Sequence, residues 1–153
     1  MIVFVMLACA PEPVLDALEP HELWKQMLAL DPEQAQAQFG LLEKWAVIGD
    51  PEVSRMALVT LAHSGHPRAF DVVVHHLDGP LRLTAVRALI RFDEPRACDL
   101  LVRAWLAGPD PDPAIDAELR QALTRNRPAC QSAIRTSAEL RPGRMAELWW
   151  TDP

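Results

Sequence analysis

The 153-residue sequence is poor in the residues that build β-structure. It has no tyrosine, its β-branched residues are sparse, and no stretch alternates for long between apolar and polar residues. These absences argue against a sheet protein, because strands are recognised by that alternation and by those residue types. Half of the residues are hydrophobic, with alanine and leucine dominant, which argues against a disordered chain. The sequence therefore predicts an all-α globular protein.

Motifs of catalysis and metal binding are missing as well. The chain has no glycine-rich phosphate loop and no Gly-x-Ser-x-Gly, Cys-x-x-Cys or His-Glu-x-x-His pattern. Four histidines lie close together in sequence, but His63 and His66 flank a predicted turn about 12 Å from His75 and His76, at 1.5 Å per helical residue. We therefore expect no metal, no cofactor, no small-molecule substrate and no catalytic residue.

The net charge of −6 is unevenly distributed. Residues 1–52 hold nine acids against two lysines, whereas residues 53–107 hold seven arginines against five acids. An acidic total argues against an extended nucleic-acid surface. A DNA-binding module is an alternative, although helical periodicity places the arginines that would contact DNA on several different faces. These arginines are Arg82, Arg87, Arg91, Arg96 and Arg103.

Fourteen prolines mark the starts of short helices. Several follow a residue suited to capping a helix, so that the proline stands at the first helical position. These pairs are Asp31-Pro32, Asp50-Pro51, His66-Pro67, Gly79-Pro80 and Asp112-Pro113. We predict helices at 20–30, 32–48, 51–64, 67–77, 80–92, 95–107, 113–126, 128–140 and 142–150. Their short loops make successive helices antiparallel neighbours.

A two-helix unit recurs along the chain. Residues 50–77 match residues 78–105 without a gap at an offset of 28. The identical pairs are Asp50/Asp78, Ala57/Ala85, Leu61/Leu89, Pro67/Pro95, Arg68/Arg96, Ala69/Ala97 and Asp71/Asp99. Such a period is typical of a stacked helical solenoid, with the paired alanines where two helices approach closely.

Two stretches, DPEVSRMALVTLAHSGHPRAFDVVVHHL and GPLRLTAVRALIRFDEPRACDLLVRAWL, resemble HEAT repeats of the short type named after phycobilisome-lyase proteins. Residues 112–134 resemble a third unit, and residues 20–48 a weaker, capping one. The resemblance implies an α-solenoid of about four antiparallel helix pairs, in a single domain over 19–153 with its best-defined repeats at 50–77 and 78–107. It also implies a non-catalytic scaffold that binds a protein partner. The alternative is a bilin-lyase-related enzyme or regulator.

Charged residues recur on one stripe of the second helix of each unit. Stacked units would align them into a polar ladder, which in HEAT-like arrays typically faces the concave side. The alternative is a solvated face held by charge pairs three or four residues apart along each helix. The candidate partner-binding residues are Arg68, Asp71, His75, Arg96, Asp99 and Arg103.

The first nine residues form an apolar segment that ends in Met6-Leu7-Ala8-Cys9. It resembles the end of a bacterial lipoprotein signal, in which the cysteine is lipidated. No basic residue precedes the cysteine, and the segment is short for a signal, so we expect that the start codon has been placed too late. It is also too short to span a bilayer. Residues 10–18 are expected to be a proline-rich tether.

These features predict a bacterial envelope lipoprotein anchored through Cys9, on the outer membrane and facing the periplasm in a Gram-negative cell. A cytoplasmic adaptor is the alternative. Cys98 and Cys130 lie in the second helices of adjacent units. In an oxidising compartment the two could pair, but the sequence does not show whether their Cα atoms lie within the separation of about 7 Å that a disulfide requires. We expect two buried free thiols there, which act as small apolar residues.

Overall fold

The computed structural model describes residues 19–48, 50–92, 94–107, 110, 112–125, 127–140 and 143. These residues form nine α-helices and no strand. The helices are α1 (Pro20–Ala29), α2 (Pro32–Ala37), α3 (Phe39–Ile48), α4 (Pro51–His63), α5 (Ala69–His75), α6 (Arg82–Leu89), α7 (Pro95–Leu106), α8 (Pro113–Arg125) and α9 (Arg127–Leu140). The predicted lipidation site Cys9, the tether and, apart from residue 143, the helix predicted for 142–150 lie outside the described residues.

The helices pack in two layers. In the first layer α1 contacts α4, α4 contacts α6, and α6 contacts α8. The second layer consists of α3, α5, α7 and α9, which pack against the first layer. We call these four the return helices. We call the surface that these four helices present the return-helix face. The arrangement confirms the predicted all-α solenoid.

Three of the predicted helix starts are capped as expected. Asp31 and Gln34 form a reciprocal capping box, in which the Gln34 amide donates to Asp31 Oδ1 at 2.8 Å and the Asp31 amide donates to Gln34 Oε1 at 3.1 Å. The Oδ1 atoms of Asp50 and Asp112 each accept a hydrogen bond, at 2.9 Å, from the amide two residues further on. These bonds satisfy amides that have no partner inside the helix, and the proline at the first position needs none.

The predicted starts of α5 and α6 are wrong by two residues. Pro67 and Pro80 lie in tight turns that precede each helix. The Ala69 amide donates to His66 O at 2.9 Å, and the Arg82 amide donates to Gly79 O at 3.0 Å. Both bonds span three residues, which is the narrower 3₁₀ pattern. Histidine and glycine therefore begin a turn here, whereas aspartate begins a helix.

The helix predicted for 32–48 is divided into α2 and α3. Gln38 has φ and ψ of −97° and 17°, which are not α-helical values. Its carbonyl accepts hydrogen bonds from both Leu41 and Leu42, at 3.0 and 3.1 Å. The bend lets both short helices pack against α4, where they bury Ala35 and Phe39.

The internal repeat correctly predicts the centre of the core. Ala57 and Ala85 are both 0% exposed where α4 and α6 meet, and so are Leu61 and Leu89 one turn further on. A side chain as small as alanine lets two helix backbones approach, and the leucines fill the space beside them. The repeat offset therefore pairs residues that occupy equivalent places in the core.

Cys98 and Cys130 form a disulfide, so the expectation of two free thiols is wrong. Their Cα atoms lie 5.0 Å apart, which is within the range that a disulfide needs. The close packing of α7 against α9 brings the two cysteines together. The bond closes a loop across 32 positions of sequence and ties the last helix pair to the one before it.

Candidate functional site

A groove of about 270 Å³ runs between α3 and α5 on the return-helix face. Arg68, Asp71 and His75, three of the predicted ladder residues, line it and are exposed. Glu43 lines it from α3, and one valine side chain from each helix lines it as well. The structure thus brings the first half of the predicted ladder into one site.

Arg68 connects the two walls of this groove. Its Nη2 lies 2.9 Å from Glu43 Oε1, and its guanidinium carbon lies 5.1 Å from the centre of the Phe39 ring. The His66 ring also stacks on Phe39, with 3.8 Å between centroids. Arg68 therefore reaches back from the start of one return helix to a carboxylate and an aromatic ring of the preceding one.

Arg96 repeats this arrangement one unit further on. Its Nη2 lies 3.4 Å from Asp71 Oδ1, and its guanidinium carbon lies 4.6 Å from the centre of the Phe70 ring. Phe70 is held in turn by an edge-to-face contact with Phe92, at 5.3 Å between centroids. We call each such contact of an arginine with a carboxylate and a ring an arginine clamp. In both clamps the ion pair joins neighbouring return helices rather than residues along one helix.

The remaining two ladder residues lie in a second groove. Asp99 and Arg103 line a space of about 350 Å³ between α7 and α9 and are exposed. The opposite wall consists of hydroxyl and alanine side chains of α9, among them Ser132 and Thr136. Within the part of the chain that the structure describes, neither Asp99 nor Arg103 has an ion pair or a side-chain hydrogen bond.

Sequence reasoning missed Glu43 and Phe39. Glu43 precedes Asp71 by the same offset by which Asp71 precedes Asp99, so extending the repeat one unit towards the N-terminus would have found it. The signal is weak because no residue near Glu43 is identical to its counterpart at this offset. Phe39 has no such signal, since it lies four residues before its carboxylate whereas Phe70 lies next to Asp71.

His75 and His76 stand at the end of α5, beside the first groove. Their rings meet edge to face, with 5.8 Å between centroids. Burial, and secondarily the charge of His75, lower the pKa of His76 below its ordinary value, and the buried His76 Nε2 has no hydrogen-bond partner in the structure. The lowered pKa favours the neutral form of His76. Among the described residues, no three metal-ligating side chains converge.

The arginines of the DNA-binding alternative mostly have partners. Arg82 Nη1 lies 2.7 Å from Asp110 Oδ2, and Arg87 Nε lies 2.9 Å from Glu118 Oε2. Arg91 Nη1 lies 2.6 Å from His63 Nε2. Carboxylates thus offset much of the positive charge that a phosphate backbone would need.

None of the helices in the described ranges combines the length and the hydropathy that crossing a membrane requires.

Comparison with protein-family models matches residues 40–124 to a family described as HEAT repeats. The matched range covers more than half of the chain and contains both arginine clamps, apart from Phe39. Comparison with curated proteins and with solved structures gives no match.

Proposed function

Because the chain belongs to the HEAT repeat family, whose repeats generally mediate protein–protein interaction, we propose that it is a non-catalytic scaffold that binds a protein partner through the return-helix face. In arrays of this kind this face lines the concave side. The binding residues are those of the predicted ladder: Arg68, Asp71, His75, Arg96, Asp99 and Arg103.

The observation that carries this proposal is the repeated arginine clamp. Stacking on a ring and pairing with a carboxylate hold the Arg68 and Arg96 side chains in place, yet they remain 65% and 68% exposed. A guanidinium carries five N–H donors, and each clamp uses only part of them. The array therefore offers ordered charged groups at a regular spacing, with little side-chain entropy left to lose on binding.

Charge balance favours a protein partner over nucleic acid. Arg82 and Arg87, in the first layer, pair with acids, and on the return-helix face Glu43 and Asp71 offset the two clamp arginines. A surface that carries both positive and negative charges complements a protein surface with the opposite arrangement of charges. Nucleic acid, in contrast, binds to surfaces that are positively charged throughout.

Site-specific crosslinking in the native cell tests the proposal. A benzophenone amino acid at His75 or at Arg103 is expected to trap one discrete partner protein. The same amino acid at Arg55 or Arg87, which are similarly exposed on the first layer, is the matched control and should not trap it. Equal trapping from both layers, or trapping from the control positions alone, would contradict a return-helix binding face.

We further propose that the scaffold is a bacterial envelope lipoprotein anchored through Cys9. Support comes from the segment that ends in Ala8-Cys9 and from the Cys98–Cys130 disulfide, because disulfides persist in oxidising compartments such as the periplasm and are rare in the cytosol.

Expression from the natural gene with its upstream sequence tests the anchor. We expect the mature chain in the membrane fraction, with an intact mass that corresponds to a diacylated cysteine at its N-terminus. The Cys9→Ser chain should lack the lipid mass and leave that fraction. An unmodified chain that retains Met1 would be evidence for the cytoplasmic alternative.

A further inference from the structure

The arginine clamp occurs at two interfaces between return helices, α3 with α5 and α5 with α7. The third interface, between α7 and α9, departs from this pattern. Pro95 begins α7, and Pro128 is its counterpart in α9. The residue after Pro95 is the clamp residue Arg96, whereas the residue after Pro128 is Ala129. The carboxylate of the clamp is nevertheless present, because Asp99 is the repeat equivalent of Asp71.

The disulfide supports this correspondence independently of the alignment. Cys98 is the repeat equivalent of Phe70, the ring on which Arg96 lies, and it stands immediately before Asp99. It is bonded to Cys130, which directly follows position 129. The backbone at 129 is therefore next to the disulfide. An arginine at this position would be the counterpart of Arg96, and Asp99 would be its carboxylate partner.

A covalent bond thus replaces the clamp as the tie between the last two return helices. The clamps at Arg68 and Arg96 hold their helices by an ion pair and a ring contact. The disulfide holds α7 to α9 without either of these contacts. As a result Asp99 keeps its exposed position, and no cation of the described residues forms an ion pair with it, although Arg103 lies one helical turn away.

The groove beside Asp99 has the chemistry of an arginine site. Its space of about 350 Å³ exceeds the first groove's, and the half-buried Ala133 offers an apolar surface for the methylene stem of a long side chain. Ser132 and Thr136 offer hydroxyl acceptors beside the carboxylate. A guanidinium can bind a carboxylate through two parallel hydrogen bonds, which makes it the best-matched cation for such a site.

We propose that this groove binds an arginine side chain of the protein partner, which takes the place of the arginine that the third clamp lacks. The inference rests on the scaffold function proposed above and names the chemistry that the partner presents. Arg103, one helical turn from Asp99 in the same groove, repels a second basic residue next to the first. The partner segment therefore carries a single arginine flanked by neutral or acidic residues rather than a polybasic run.

Titration of the oxidised full chain with a short capped peptide, Gly-Ser-Arg-Ser-Gly, followed by amide chemical shifts, tests the site. We expect shifts that cluster at Asp99, Val102 and the facing residues of α9, with weak, millimolar affinity. A peptide with neutral citrulline in place of arginine has the same shape and is expected to bind about fivefold more weakly or not at all.

Two variants make the result decisive. Asp99→Asn removes the charge with little change in shape and should abolish the preference for arginine over citrulline. Ala129→Arg supplies an internal arginine and should abolish binding of the peptide. Equal binding of both peptides, shifts that cluster at Glu43 and Arg68, or binding unaffected by Asp99→Asn would overturn the proposal.

The outcome is separable from that of the scaffold function. Crosslinking from the return-helix face together with no arginine preference at Asp99 would leave the scaffold function standing and refute this site. An arginine preference at Asp99 without any partner crosslinked from that face would support this site and refute the scaffold function.

Discussion

The chain in which Cys98 and Cys130 are both replaced by alanine is expected to unfold about 10 °C below the parent chain. In the chain-entropy model, a crosslink between cysteines with a sequence separation of 32 stabilises the folded state by about 3.7 kcal/mol. For a domain of this size, each kcal/mol corresponds to roughly 2–4 °C in Tm. Thermal unfolding followed by circular dichroism, with Cys9→Ser present in every chain, measures the difference.

Reductant provides the matched control for this prediction. It should lower the Tm of the parent chain to that of the double alanine chain, and it should leave the double alanine chain unchanged. Thiol titration of the unfolded, unreduced parent should find no free thiol when Cys9 is absent. Two free thiols and a Tm that does not respond to reductant would show that the bond is not formed.

Much of the fold could be predicted from the repeat. The repeat offset pairs Ala57 with Ala85 and Leu61 with Leu89, and the structure buries all four completely. Such pairing works because each unit of a solenoid packs against its neighbours in the same way, so equivalent positions meet equivalent surroundings.

The helix boundaries that were predicted wrongly depend on local contacts that the repeat does not show. Asp-Pro and His-Pro look alike as helix starts, and both side chains accept the amide two residues further on, Asp50 Oδ1 from Glu52 and His66 Nδ1 from Arg68. After His66 the Ala69 amide nevertheless closes a three-residue turn before α5 begins. At both His66-Pro67 and Gly79-Pro80 the chain first forms a tight turn, so α5 and α6 begin two residues after the proline. The break at Gln38 has no proline to mark it, and both of the short helices that it separates pack on α4.

The candidate site could be predicted only in part, because its contacts lie between units. The offset identifies Arg68 and Arg96 as equivalent, but which carboxylate each one meets depends on how far the helices are displaced when they stack. Asp71 illustrates this, since it shares a groove with Arg68 and pairs with Arg96.

The disulfide was harder to predict than the clamps. The loop before α8 is longer than in the other units, so Pro128 stands further from Pro95 than Pro95 stands from Pro67. This change of register hides the correspondence between position 129 and Arg96. The 5.0 Å between the Cα atoms of Cys98 and Cys130 is set by the packing of α7 on α9, which no local sequence pattern encodes.

Leu89→Ala is expected to lower the free energy of unfolding by about 3 kcal/mol. Leu89 is 0% exposed in α6, which packs against α4 on one side and α8 on the other. Truncation there removes buried apolar surface and leaves a cavity that close-packed neighbours fill only partly. Urea denaturation measures the change as a lower midpoint at unchanged slope.

Leu28→Ala is the matched control, since it makes the same change at a side chain that is 56% exposed in α1. It should alter the free energy of unfolding by less than about 0.5 kcal/mol. A similar loss at both positions would mean that α6 is not enclosed by two neighbours. A large loss at Leu89 alone, in a single transition, would mean that the central unit holds the array together, because a unit of a solenoid is stabilised mainly by the interfaces on its two sides. The return-helix face depends on the same stacking, since each arginine clamp spans two units.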